Sequence, residues 1–187
     1  YFHAMGTDPA DDPRVFGAEK GTDFPGMSVS DDGRWLVINV FRGWSASDLY
    51  LFDRGRNPNA RRAAPDDEDE LVTVVEGRDA LTVGHVHDGR LYLLTNDGAP
   101  RWKVDFVPAE RAEREQARRT LVEETDATID GWAFAADRIA LHYIEDVRSR
   151  VRLFRYGGRE AGEIELPVRG SVSGLDASES STRLVFE

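Results

Sequence analysis

Residues 35–40 run Trp-Leu-Val-Ile-Asn-Val, a segment that an extended chain would divide between two faces. Trp35, Val37 and Asn39 fall on one side, and Leu36, Ile38 and Val40 on the other. The run follows a polar turn, Ser-Asp-Asp-Gly, which itself follows a shorter apolar piece. The same succession of short strand, polar turn and second strand occurs four times: at 26–41, 81–96, 129–145 and 171–187. Aligned on the arginine after each turn, the copies place Arg34, Arg90, Arg138 and Arg183 at intervals of 56, 48 and 45 residues.

Three copies continue into a third strand, DLYLFD (48–53), RWKVDF (101–106) and RVRLFR (150–155), and then into a fourth apolar piece, LVTVV (71–75), TLVEE (120–124) and GEIEL (162–166). Turns such as DDG, HDG and NDG supply the Gly and Asp chemistry of tight antiparallel connections. Four strands per repeat at about 40–50 residues is the pattern of β-propeller blades. A β-sandwich shares the short strands but has no reason to repeat in fours. The expected fold is therefore all-β, a partial propeller with blades at 26–75, 81–124 and 129–166. A half blade of third and fourth strands is expected at 1–18, with strands at 1–4 and 14–18, and a half blade of first and second strands at 171–187. Both ends read as internal to a longer chain.

Two polar insertions separate third from fourth strands. Residues 54–70 run basic and then acidic, as a solvated loop does. Residues 107–119, VPAERAEREQARR, favour one or two helical turns and show no apolar face, so an exterior position is expected.

Composition narrows the function classes. A net charge of −11 leaves no excess of Lys and Arg to displace counterions from phosphates, which excludes nucleic acid and anionic membranes as natural partners. The chain has no cysteine, hence no disulfide or thiolate chemistry. That suits the cytoplasm, with the periplasm also compatible. No stretch approaches the about 18 apolar residues of a membrane span.

The chemistry-bearing residues have structural explanations. No G-x-S-x-G elbow, Walker A loop or H-E-x-x-H motif occurs; GSVSG (170–174) places Val172 where a nucleophile would stand. His85 and His87 would share a strand face, but His87 reads as part of the turn and no third ligand recurs at matching spacing. His142, in ALHYI, reads as a hydrogen-bonded strand residue. Asp66, Asp67, Glu68, Asp69 and Glu70 lack the spaced ligands of a calcium loop. Trp35, Trp102 and Trp132 fall in strand positions that suit packing between blades, whereas Trp44 in RGWSASD reads as a surface contact. Residues 3–16, HAMGTDPADDPRVF, hold almost the inventory of an active site. Asp capping, Pro-fixed φ and a permissive Gly6 account for them as a turn that His3 orients by hydrogen bonding. No catalytic, cofactor-binding or metal-ligating residue is expected, and no cofactor.

HAMGTDPADDPRVF resembles the H-x-x-G-T-x-x-x-x-D-x-x-V-[FY] segment of the prolyl oligopeptidase family, followed at the right distance by SDDGRWLVI. RGSVSGLDASESSTRLVF (169–186) resembles the family's G-S-V-x-G segment further along the same propeller, and WKVDF and the segment 131–158 run in parallel between them. Oligopeptidase B shares a similar opening segment and is the nearest relative. The resemblance implies a serine peptidase in which an α/β-hydrolase domain carries the Ser, Asp and His triad beyond residue 187. The propeller would cover the active site and restrict access to short peptides, touching substrate only indirectly and being inert by itself. A stand-alone propeller-like interaction module is the alternative. The two half blades are complementary, so two chains joined head to tail would make eight blades. A homodimer pairing Thr182–Phe186 with Tyr1–Ala4 is the corresponding expectation.

Overall fold

The computed structural model describes residues 1–17, 23–55, 65 and 70–187. These residues form fourteen strands. The first four, β1 (Phe24–Val29), β2 (Trp35–Arg42), β3 (Ala46–Asp53) and β4 (Val72–Val75), make one sheet in chain order. A second sheet, also in chain order, holds β5 (Thr82–His87), β6 (Arg90–Thr95), β7 (Lys103–Pro108) and β8 (Arg119–Val122). The third holds β9 (Thr128–Ala135), β10 (Arg138–Glu145), β11 (Arg148–Phe154) and β12 (Glu160–Ile164). A two-stranded ribbon of β13 (Asp176–Ala177) and β14 (Leu184–Val185) follows. These are the all-β, four-stranded antiparallel blades of a partial propeller. The chain divides into two compact units, residues 1–97 with 106–119 and residues 98–105 with 120–187.

In the first unit the period of two in β2 governs packing. Trp35 and Val37 join Leu49, Leu51, Val86, Leu91 and Leu93 in one core cluster, uniting the first blade with the strands β5 and β6 of the next. Leu36, Ile38 and Val40 face the other way, into a second cluster with Val15, Tyr50 and Phe52. A strand covered on both faces can afford no polar residue without a partner. Asn39, buried at 9% exposure, has its partner in the backbone of β5. In the second unit, Ala140 and Val151 meet Val172, Leu175, Leu184 and Phe186 of the half blade.

Several sequence expectations need correction. The first residues of the three complete second strands are Trp35, Arg90 and Arg138, so Arg34 stands one place earlier than its apparent counterparts. The first blade has a longer turn there: Val29 pairs with Leu36 across residues 30–35, while Asp88 and Gly89 alone join β5 to β6. Both carry positive φ, 46° and 68°, as a tight primed turn requires. His87 consequently closes β5, opposite Arg90, rather than lying in the turn. Trp102 precedes β7 at φ 71°, with its N–H donating to the Ala99 carbonyl at 2.7 Å. The Asn-Asp-Gly-Ala-Pro loop delays the strand by two residues from the expected start at 101.

Residues 1–4 and 14–17 form no strand; Ala18 lies outside the described residues. One backbone bond, Phe2 N–H to the Pro13 carbonyl at 3.0 Å, joins the two arms. Pro13 has no N–H to return it, so the ladder stops there. The second arm is held by side chains instead, with Val15 buried and Phe16 5.3 Å from the Tyr50 ring. Residues 107–119 do have an inward side. They form two 3₁₀ turns, Ala109–Arg111 and Glu115–Ala117, and Val107, Ala109 and Ala112 are buried in the first core cluster. Ala109 and Ala112, three residues apart, lie on one face of the turn.

The contrast between two tryptophans tests this register. Trp35 is 3% exposed and Trp44, at the tip between β2 and β3, is 98% exposed. Trp35→Ala should cost about 3–5 kcal/mol in urea denaturation, and Trp44→Ala no more than about 0.5 kcal/mol.

Candidate functional site

The opening stretch is bonded internally. Asp8 accepts the Ala10 N–H at 2.9 Å and so caps the short 3₁₀ turn Pro9–Asp11. The Thr7 hydroxyl donates to the Ala4 carbonyl at 2.7 Å. His3 Nδ1 lies 2.9 Å from Asp12 Oδ1, and the Arg14 guanidinium donates to the Tyr1 hydroxyl at 2.8 Å. These contacts shape a turn. His3 is exposed while the Asp12 side chain is largely covered, and the nearby Thr7 hydroxyl is already committed to backbone. His85 and His87 do share one face of β5, the half-buried one opposite Thr82, Gly84 and Val86. Among the described residues no group of three or more His, Cys, Asp or Glu side chains is placed to hold a metal ion. Of the acidic run, only Glu70 is described; Asp66, Asp67, Glu68 and Asp69 lie outside the described residues. Trp132, in β9, packs edge-on against Phe134 with ring centroids 5.0 Å apart.

One Ser–His–Asp arrangement does exist, and the motifs gave no warning of it. His142 Nε2 is 2.7 Å from Ser149 Oγ, and Asp130 Oδ2 is 3.3 Å from His142 Nδ1. Asp130 is the extra residue of a bulge in β9: His142 pairs with Gly131 and Tyr143 with Ile129, leaving Asp130 unopposed. A bulge of this kind turns a side chain away from its regular direction, here bringing a carboxylate to the imidazole. The constellation is nonetheless the wrong one for attack on a substrate. Ser149 is 6% exposed, and its Oγ accepts the N–H of Val172 at 2.7 Å.

That bond recurs at the other seam. Ser47 and Ser149 are each the second residue of a third strand, in Ser-Asp-Leu-Tyr-Leu-Phe (47–52) and Ser-Arg-Val-Arg-Leu-Phe (149–154). The Ser47 N–H donates to the Ala80 carbonyl, and its Oγ accepts the Thr82 N–H at 2.7 Å while donating to the Thr82 carbonyl. The Ser149 N–H donates to the Gly170 carbonyl, two residues before Val172. In both cases a buried serine pins the chain entering the next blade. The shared S-x-[LV]-x-L-F pattern was the available sequence signal. Beside each serine, at the matching place in the second strand, stands a buried polar residue: Asn39 in one blade and His142 in the other. Asn39 Oδ1 accepts the Gly84 N–H at 2.9 Å. A Cβ at Gly84 would lie 2.8 Å from a Leu49 methyl, so a side chain there would force Leu49 to shift.

Ion pairs fix the turns around these seams. Asp53 accepts two bonds from Arg34, at 2.9 and 2.6 Å, and Glu110 takes a third at 3.0 Å. The buried Asp48 pairs with Arg42 at 2.8 Å and accepts the Gly77 N–H. Burial, and then its bond to Glu76, pushes the Tyr50 hydroxyl well above the usual phenol range. Hydrogen bonding from Arg138, and then from Arg155, lowers the Asp137 carboxyl to about 2.

Comparison with known proteins accounts for this frame of blades. The family model of the prolyl oligopeptidase N-terminal β-propeller domain matches residues 1–187. The chain belongs to that family. It is 24% identical over 195 residues to the prolyl endopeptidase of Elizabethkingia meningoseptica, a match covering all of this chain and 25% of that protein. It is 25% identical over 177 residues to prolyl oligopeptidase A of Amanita bisporigera, covering 92% of this chain and 22% of that one. A solved prolyl endopeptidase structure, from work on inter-domain dynamics in catalysis and specificity, superposes with a TM-score of 0.84 at 27% identity. That superposition covers 98% of this chain and 26% of the other. Prolyl oligopeptidase B from Galerina marginata, without ligand, shares the fold at a TM-score of 0.80 and 21% identity. The chain thus spans about a quarter of the length of the relatives it matches. The turn at 3–16 and the segment at 169–186 are parts of a prolyl oligopeptidase propeller, and their polar residues serve its loops.

Two measurements test the site as described. Ser47→Ala removes the partner of a buried backbone N–H and should cost about 1–3 kcal/mol in urea denaturation. For Asp137, a lowered pKa means its contribution to stability is complete above the ordinary carboxylate value of about 4 and is lost as pH falls towards 2. The Asp137 carboxyl carbon should therefore titrate by NMR near pH 2, and Arg138→Ala should raise that midpoint.

Proposed function

We propose that this chain works as part of the cover over the active site of a prolyl oligopeptidase-type serine peptidase, admitting short peptides and excluding folded proteins. The observation that carries the proposal is the match of its whole length to the propeller-domain model. The seams give it a physical basis. A cover that discriminates by size must keep its blades together, and each unit ties one blade to the next through an apolar cluster and a buried serine. The partner in this reading is an α/β-hydrolase domain of the same parent chain, which supplies nucleophile, base and acid. The peptide is held by that domain and only screened by the propeller. With no cysteine to protect or pair, the cytoplasm is the proposed compartment.

The experiment compares the parent enzyme with this chain alone. The parent should cleave a short Gly-Pro peptide and leave the same sequence uncut within a folded protein. This chain alone should neither turn over the peptide nor be labelled by a serine-directed phosphonate, because its Ser149 is buried and bonded to backbone. Equal cleavage of the peptide and the folded protein by the parent would overturn the screening role, and stoichiometric labelling of this chain would overturn its place as a cover.

A further inference from the structure

The connection from β7 to β8 belongs to the second blade in sequence and to the first in its contacts. Glu110 pairs at 3.0 Å with Arg34, just before β2, and Glu115 pairs at 3.0 Å with Arg78, in the loop after β4. The Arg118 guanidinium donates to the Val74 carbonyl of β4 itself. Three points along one segment thus reach three separate parts of the first blade. We propose that residues 107–118 are a strap that locks the seam between the first two blades, with Arg118 as its anchor.

Small side chains bring the strap close enough to act. Val107, Ala109 and Ala112 are buried in the cluster that unites the two blades, and Ala117 packs against it. Alanine at 109 and 112 lets the backbone lie against the Leu and Val side chains of that cluster at the density of a protein interior. At its start the strap is tied to its own blade, since the Ala109 N–H donates to the Gly89 carbonyl of the β5–β6 turn at 2.9 Å. From there onwards its charged partners lie in the other blade. A segment fixed at both sides of a seam resists the opening of that seam.

The anchor meets a need of the first blade. β4 is the last strand of its sheet, so its outer edge has no further strand to pair with. Val74 is also the extra residue of a bulge: Thr73 pairs with Tyr50 and Val75 with Leu49, leaving Val74 outside the register. Val74 is buried, and a buried carbonyl outside a ladder needs a donor from elsewhere. Arg118 supplies a charged donor, about twice as strong as a neutral one. At the other end, the Arg34 guanidinium lies 4.4 Å from the Trp35 ring centroid, over a member of the shared cluster. It divides its donors between Asp53 of its own blade and Glu110 of the strap. Glu110 and Glu115 are 50% and 61% exposed, so water and salt screen both ion pairs. The part-buried Arg118 bond carries most of the lock.

The test is amide hydrogen exchange on this chain by NMR. The Thr82 and Gly84 amides donate across the strapped seam, to Ser47 Oγ and Asn39 Oδ1, and report its opening. The Val172 amide, bonded to Ser149 Oγ in the second unit, is the reference. Arg118→Met keeps most of the aliphatic stem and removes the donor. It should lower the protection of Thr82 and Gly84 roughly tenfold relative to Val172, the loss expected for a hydrogen bond to a charged group. The double variant Glu110→Gln with Glu115→Gln should lose about threefold, and about 1 M salt should produce the same loss in the unmodified chain. Should Arg118→Met not fold, the double variant, altered only at exposed positions, decides. The proposal is overturned if Thr82 and Gly84 keep their protection relative to Val172 in the deciding variant. It is equally overturned if all three amides lose protection together, as they would on a general loss of stability.

Discussion

A four-stranded blade has two faces, and neither can be left to water when both carry Leu, Ile and Val. That constraint shapes every part of the chain. β2 buries six consecutive residues because its alternate positions are claimed by different neighbours, with β5 and β6 on one side and the Val15–Phe16 arm on the other. Burying each such side chain contributes about 1.5–3 kcal/mol, so an isolated blade forfeits about half of its apolar stabilisation. Stability in such repeats is carried by nearest-neighbour interfaces as much as by the repeats themselves.

Apolar clusters alone do not set register between neighbouring blades, because they are not directional. Hydrogen bonds across the seam supply the direction. Ser47 and Ser149 each hold the incoming chain by two consecutive contacts, main-chain N–H to carbonyl and side-chain Oγ to amide, two residues apart. A slip by one residue would leave both broken and would turn Thr82 or Val172 to the wrong side. Gly84 adds a steric stop, since the Leu49 methyls occupy the space a side chain would need.

The blade pattern was legible in the sequence because strand alternation and Gly/Asp turns are local properties, and β2 and β10 show them over eight residues each. The features that escaped are those set by tertiary partners. Trp102 and Trp35 look alike in an extended run, yet a tight loop places one outside its strand at positive φ while the other is 3% exposed. Ala109 and Ala112 carry too little apolar surface to mark a face in a run rich in Glu and Arg. The arm at 14–17 contains strand-forming residues, but Pro13 removes the donor a ladder would need. Ser149 and His142 meet through register across β10 and β11, and Asp130 joins them through a bulge that no single-strand pattern discloses.

The same three residue types that make a nucleophile in one setting make a fastener in another, and this chain shows what separates the two. A catalytic serine needs an accessible oxygen whose lone pair is free to attack and a base free to take its proton. At Ser149 the lone pair is held by the Val172 N–H, the residue is buried, and the base faces a carboxylate that a bulge has turned towards it. At His3 and Asp12 the imidazole is exposed, but the neighbouring hydroxyl of Thr7 donates to the Ala4 carbonyl. In each place the polar atoms are spent on closing backbone donors and acceptors that a packed β structure cannot leave unpaired. The chemistry of the described residues is directed inward, to holding blades in register.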